Sequence, residues 1–264
     1  MVVRTWHPAT TRPTRRVHQK TEVIPTDIVK FSRELLDFWP DHRQEALLRC
    51  NAKQGILNCC RQWGKSTVAA IKAVHRAHFH PKSLVVVASP TERQSAEFLL
   101  KARSFVIALG IHPKGDGHNR SSLSLPNGSR IVGLPGKEAH IRGFSAVNLL
   151  IIDEASRVDD ELYKTLRPML TVADGDLWLL STPWGKQGFF HDNWEHGGEG
   201  WARFRVPATE CVRIATDRLE LERAQMGDAW FRREYMCEFL ATDTQMFDSD
   251  LVRAALVDGE GWNL

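Results

Sequence analysis

Apolar residues follow two alternating rhythms along this chain. Short, mainly apolar runs occur at Gly55–Cys60, Leu84–Ala88, Val147–Ile152 and Leu177–Leu180. Such short runs predict strands buried on both faces, as in a parallel sheet. Between them, apolar residues recur every three or four positions, the spacing of amphipathic helices. Helices are predicted at Thr26–Phe38 and Arg43–Cys50, split by Pro40, and at Lys65–His80, stopped by Pro81. Another is predicted at Thr91–Leu109, opened by a Thr91/Gln94 capping box and followed by Gly110, and another at Asp159–Leu170. Beyond Pro183 the pattern is mixed, with a strand at Ala202–Val206 and helices at Asp217–Gln225 and Ala229–Phe239. Ser122–Leu125 and Arg130–Leu134 flank Pro126-Asn127-Gly128, a hairpin signal. Strands alternating with helices predict an α/β fold: a doubly wound, mainly parallel sheet flanked by helices, with ligands at the carboxyl ends of its strands.

Composition narrows the class. With 264 residues, 42% of them hydrophobic and 25% charged, the chain has the makeup of a globular protein of one or two domains. No apolar run approaches the roughly eighteen residues of a membrane span, and Met1–Lys20 has no apolar signal core. Five cysteines without repeated spacing give no disulfide framework. The expected compartment is the cytoplasm. A net charge of +3 permits nucleic-acid contact without requiring it. Arg4, Arg12, Arg15, Arg16 and Lys20 all precede the first acid, Glu22. Residues 1–25 therefore read as a basic arm, foremost a solvated tail and secondly a contact to DNA or a partner.

The first chemical signal is Cys60-Arg61-Gln62-Trp63-Gly64-Lys65-Ser66-Thr67, set between a predicted strand and a predicted helix. That is the setting of a P-loop. Backbone N–H groups at the helix start face phosphates; Gly64 allows close approach, Lys65 supplies charge, and Ser66 offers its hydroxyl to Mg²⁺. The pattern's first glycine is replaced by Cys59. A second signal is Leu149-Leu150-Ile151-Ile152-Asp153-Glu154, a buried strand ending in two acids. Asp153 is suited to hold Mg²⁺ and Glu154 to activate the attacking water. A glutamate directly after the aspartate resembles the arrangement of mechanical P-loop ATPases, the ASCE type. Leu84–Ala88 lies between these two signals in sequence and is expected to be the inserted strand of that branch. A third apolar strand ends in Ser181-Thr182-Pro183, either a γ-phosphate sensor or simply a turn opened by proline. Arg142, before Gly143, is a solvated arginine or a finger entering a neighbouring subunit, a role that contributes about 10³–10⁵ in rate.

Taken together, these motifs resemble the N-terminal ATPase domain of the large terminase subunit of tailed bacteriophages and prophages. The resemblance runs from about Trp39 to the C-terminus. Trp39-Pro40-Asp41-His42-Arg43-Gln44 is similar to the family's adenine-binding motif, with Gln44 as the reader. Residues 61–66 resemble its deviant P-loop, which often lacks the first glycine. Ala88-Ser89-Pro90-Thr91 with Gln94-Ser95, Trp184–Phe190, Arg232-Arg233-Glu234-Tyr235 and Cys237-Glu238-Phe239 resemble further family landmarks. The resemblance implies a trans-acting finger at Arg142, a coupling role for Ser181 and Thr182, and catalytic roles for Lys65, Glu154 and Arg61. It implies ATP and Mg²⁺ as cofactors. It also implies a homo-oligomeric ring working on double-stranded DNA with a portal protein and a small terminase subunit, in the cytoplasm of a bacterial host.

The expected organisation is a disordered basic arm at 1–25, an ATPase domain with a C-terminal helical subregion at 26–241, and at 242–264 a linker or the truncated start of a missing nuclease domain. Asp248, Asp250 and Asp258 are too few to stand for that nuclease, so no nuclease activity is expected. A helicase-like ATPase is the second reading, an inactive nucleotide-binding module the third. His75, His78 and His80 read as solvated or helix-terminal residues rather than metal ligands. Trp63, Trp184 and Trp201 read as packing residues before base-stacking ones.

Overall fold

The computed structural model describes residues 25–114, 121–135 and 143–241. The arm's basic residues, Arg142 and the expected linker lie outside them. Two helices come first, and both begin at aspartates. α1 (Ile28–Leu36) starts where the Asp27 carboxylate accepts from the N–H groups of Val29 and Lys30. α2 (His42–Arg49) starts in a full capping box between Asp41 and Gln44. The alternation follows: β1 (Gln54–Cys59), α3 (Lys65–Phe79), β2 (Leu84–Ser89) and α4 (Glu92–Ala108). The hairpin β3 (Ser122–Ser124) and β4 (Arg130–Pro135) leads to β5 (Leu149–Asp153), α5 (Asp160–Leu166) and β6 (Asp176–Ser181). α6 (Gly188–His196), β7 (Trp201–Val206), α7 (Thr216–Met226) and α8 (Asp228–Glu234) complete the fold.

The strands form one sheet in the order β3-β4-β2-β5-β6-β1-β7. Among the described strands, β3 pairs antiparallel with β4 and the other pairs are parallel. Strand residues alternate between two cores, which is why the strands read as continuous apolar runs. Val85, Val87, Leu149 and Ile151 pack in the layer that contains α1 to α4. Val86, Ala88, Leu150 and Ile152 pack with α5 and α6 on the opposite face.

The sheet order corrects one expectation. The strand between the P-loop strand and the acidic strand is β6, not Leu84–Ala88. β6 pairs Leu180 with Leu57 of β1 and Leu179 with Ile152 of β5, while β2 lies on the far side of β5. Chain order does not state on which side of the earlier strands each new strand is added, and so does not order the strands in space.

Other differences have local causes. The helix predicted at 159–170 stops at Leu166 and continues as a 3-10 turn over Arg167–Leu170, where Pro168 removes a donor. α8 stops at Glu234, well short of Phe239, whose ring packs 5.9 Å from that of Phe190. α6 has no sequence cap: the Phe189 N–H donates to Asp160 Oδ1 at 2.9 Å, from another element. The capping box at Thr91 is half formed. The Thr91 hydroxyl oxygen accepts the Gln94 backbone N–H, but Gln94 Oε1 accepts from the Thr91 hydroxyl rather than from a backbone N–H. His75 is not merely solvated; it packs edge-on to Phe31 at 5.2 Å and meets the Thr26 carbonyl at 2.9 Å. All five cysteines are free. Among the described residues, no cluster of three or more metal-ligating side chains occurs and no helix is long and apolar enough to cross a membrane.

One contact locks α2 to the sheet. Lys72 Nζ donates to the carbonyls of Leu47, Leu48 and Cys50 at 3.3, 3.3 and 2.9 Å, closing the end of α2, and lies 4.4 Å over the Trp178 ring. That ring lies directly on Gly55, where an added Cβ would meet Trp178 Cε3 at 2.5 Å. Gly55→Ala is expected to destabilise the fold by about 1–3 kcal/mol through overpacking. Denaturant unfolding measures it; an unchanged midpoint would show that the ring shifts freely.

Candidate active site

Three adjacent parallel strands, β1, β6 and β5, bring the candidate residues together at their carboxyl ends. Position 59 ends β1 in extended, paired backbone, so Cys59 stands there without needing glycine's freedom. The loop after it is held from several sides. The Cys60 N–H donates to the Val206 carbonyl at 3.0 Å and the Arg61 N–H to the Glu234 carbonyl at 3.2 Å. Trp63 is buried, and its carbonyl accepts from Gln44 Nε2 at 3.0 Å and from the Arg213 guanidinium. The loop needs this anchoring because Gln62 (φ 63°) and Gly64 (φ 95°) both occupy the left-handed region. A side chain at 64 would add strain and meet Gln44 Nε2 at 3.4 Å.

α3 starts at Lys65, so the N–H groups of Lys65 and Ser66 that open its first turn stand beside the loop. Two side-chain pairs then join this turn to the end of β5. Lys65 Nζ lies 3.0 Å from Glu154 Oε1, and Ser66 Oγ donates to Asp153 Oδ2 at 2.8 Å. Thr67 follows, its N–H bonded to the Gly64 carbonyl. Glu154 holds a left-handed backbone (φ 55°), a strained state for a residue with a side chain. Burial pushes the Asp153 carboxyl above the usual carboxylate range, opposed by Lys65 and by the Ser66 hydroxyl. Burial alone would lower the Lys65 ammonium, but neighbouring charges raise it overall. Cys59 is itself kept neutral by burial, so the anions that act on Lys65 are Glu154 and Asp153.

β6 contributes from between these two strands. Ser181 Oγ accepts the Ser156 N–H at 3.1 Å and lies 2.7 Å from Ser156 Oγ, which donates to the Thr182 carbonyl at 2.8 Å. The segment at Ser181 and Thr182 is thereby hydrogen-bonded to the turn that carries Glu154. Gln44 is fully buried; its oxygen accepts the Asp41 N–H at 3.1 Å while its amide nitrogen serves Trp63. Arg61 is mostly exposed and pairs with Glu234. Trp63 and Trp201 are core residues, and Trp184 is half-buried under two arginines. Sequence reading missed Arg213 and Ser156, which no local pattern marks.

The family model for the large terminase subunit, T4likevirus-type, N-terminal, matches residues 56–253. The chain belongs to the large terminase subunit family. Large terminase subunits of Thermus phage G20c and Thermus virus P23-45 are each 26% identical to it over 251 residues, covering 81% of this chain and 51% of theirs. This terminase chain thus spans about half the length of the curated relatives it matches. The large terminase ATPase domain of Thermus phage P74-26 superposes with a TM-score of 0.69 at 22% identity, over 80% of this chain and 98% of that one. The large terminase of a thermophilic bacteriophage in complex with ADP superposes with a TM-score of 0.67 at 14% identity, over 80% and 57%. The fold is therefore that of the terminase ATPase domains, a P-loop α/β fold of the ASCE type.

Because the folded state holds the Asp153 proton more tightly than the unfolded chain, this residue's contribution to stability falls as pH rises from the unfolded pKa through the folded one. Asp153→Asn removes that pH-dependent cost and is expected to raise the thermal midpoint of the nucleotide-free domain above that of the wild type. Thermal unfolding at pH 7 measures it, and a lowered midpoint would contradict the assignment.

Proposed function

We propose that this chain is the ATP-hydrolysing motor domain of a DNA-packaging terminase, coupling Mg²⁺-dependent hydrolysis to translocation of double-stranded DNA. The observation that carries this reading is the convergence of Lys65 with Glu154 and Ser66 with Asp153 at the ends of β1 and β5. The α3 N-terminus and Lys65 receive the phosphates, Lys65 acting as a point charge on the outer ones. Ser66 and Asp153 suit Mg²⁺: two hard oxygens stand side by side, and the buried carboxylate lacks a full counter-charge. Bound there, the ion would offset the charge of the phosphate oxygens. A triphosphate competes with Glu154 for Lys65. Glu154, released, faces the space beyond the outer phosphate, where it orients a water and accepts its proton. Gln44 belongs to the nucleotide site through the Trp63 carbonyl, at the side where the base would lie.

Movement at the phosphates reaches Ser181 and Thr182 through Ser156, which supports a coupling role for that segment. Arg142 acts in trans, so the complete site forms in a ring of copies. The ring works on DNA at a portal, with a small terminase subunit, in the cytoplasm of a bacterial host.

Steady-state hydrolysis of Mg-ATP tests this reading. Glu154→Gln is expected to lower kcat by about a hundredfold or more while nucleotide still binds, the loss of a general base's contribution. Lys65→Ala should lose both. Arg142→Ala should abolish the rise in rate per chain with protein concentration. Undiminished hydrolysis by Glu154→Gln would remove the proposed base.

A further inference from the structure

Two hydroxyls at the carboxyl edge of the sheet are buried without a partner. Ser89 ends β2 and Thr182 follows β6, so they flank β5 on its two sides. Among the described residues, no donor or acceptor meets Ser89 Oγ or Thr182 Oγ1 in hydrogen-bonding geometry. Thr182 already belongs to the segment tied to the acidic turn. Ser89 has no part in the chemistry above. It is 0% exposed, so bulk water does not reach it. An unpaired buried hydroxyl destabilises a fold, and one kept in place calls for a reason.

The strand register supplies one. β2 pairs with β5 in parallel, Val87 with Ile151 and Ala88 with Ile152. One step further along, Ser89 stands level with Asp153. Side chains alternate along a strand, and Val85, Val87, Leu149 and Ile151 all face the layer of α1 to α4. Ser89 and Asp153 continue those two rows. They are therefore neighbours on the face where Ser66 meets Asp153. Adjacent strands lie about 4.8 Å apart, a span that a serine hydroxyl and a carboxylate bridge by side-chain rotation.

Asp153 has two other donors. The Glu154 N–H reaches Oδ1 at 3.1 Å, and the Ser66 hydroxyl reaches Oδ2 at 2.8 Å. A metal taken up between Ser66 and Asp153 draws the Ser66 oxygen to itself, and the carboxylate loses that donor. Metal-binding carboxylates are oriented by outer hydrogen bonds, and loss of such a bond typically weakens metal binding by about 10–100-fold.

We propose that Ser89 is a positioning residue of the metal site: its hydroxyl donates to the Asp153 carboxylate once Ser66 turns to the metal. This rests on the reading of Ser66 and Asp153 as metal ligands, and extends it to a residue that touches neither metal nor nucleotide. The Ser89 donor lacks an acceptor while Ser66 serves Asp153 and gains one when Ser66 leaves.

The test pairs Mn²⁺ titration of the whole chain with ADP, read by electron paramagnetic resonance, with thermal unfolding in the absence of both. Ser89→Ala deletes the hydroxyl; Ser89→Cys keeps the volume but offers only a weak donor. Both variants should hold Mn²⁺ about tenfold or more less tightly than wild type. The thermal midpoint of Ser89→Ala should be no lower than that of wild type, because the group removed has no partner to lose. Unchanged Mn²⁺ affinity in both variants would overturn the proposal. So would a loss in Ser89→Ala alone, which assigns the effect to packing. So would a midpoint that falls in both variants in step with Mn²⁺ affinity, the mark of a damaged fold. A wild-type chain that binds no Mn²⁺ with ADP would overturn the metal site itself together with this proposal.

Discussion

The hydrogen bond from Ser66 to Asp153 joins the first turn of α3 to the end of β5, two strands away from β1. Much of the site depends on that short bridge. It requires β6 to lie between β1 and β5 in parallel register, so that three carboxyl ends finish at one level. It also requires the loop after β1 to turn tightly enough to start α3 at Lys65, which the left-handed backbone of Gln62 and Gly64 provides. The same bridge brings Glu154 to Lys65, because Glu154 follows Asp153 directly.

Anchoring explains how so strained a loop persists. Strained backbone survives where its surroundings over-determine it. Here β7, α8, Gln44 and Arg213 each bond the loop, at Cys60, at Arg61 and, in the last two cases, at the Trp63 carbonyl. Ser156 ties the Ser181–Thr182 segment to the acidic turn.

Much of this was legible in the residues. The apolar runs located β1, β2, β5 and β6 to within a residue or two, because strands buried on both faces have no polar alternation to confuse the reading. Lys65 and Ser66 stand out in the sequence because a strand, a tight loop and a helix follow one another there, and Asp153 and Glu154 because they end an apolar strand; the structure brings the four together. What stayed hidden depends on long-range contacts. The place of β6 in the sheet depends on crossovers that chain order does not encode. α6 is capped by Asp160 from a distant segment, and Arg213 and Ser156 matter only through what they touch. Arg142 carries a proposed role outside the described residues.

The central claim is that Ser66 and Asp153 hold the metal of a nucleotide site. Its most direct test is electron paramagnetic resonance of Mn²⁺ titrated into the chain with ADP, in wild type and Ser66→Ala. The account predicts tight, nucleotide-dependent Mn²⁺ binding in wild type, weakened roughly tenfold or more in the variant by loss of a direct oxygen ligand. Equal Mn²⁺ binding in both proteins, or binding independent of ADP, would contradict it.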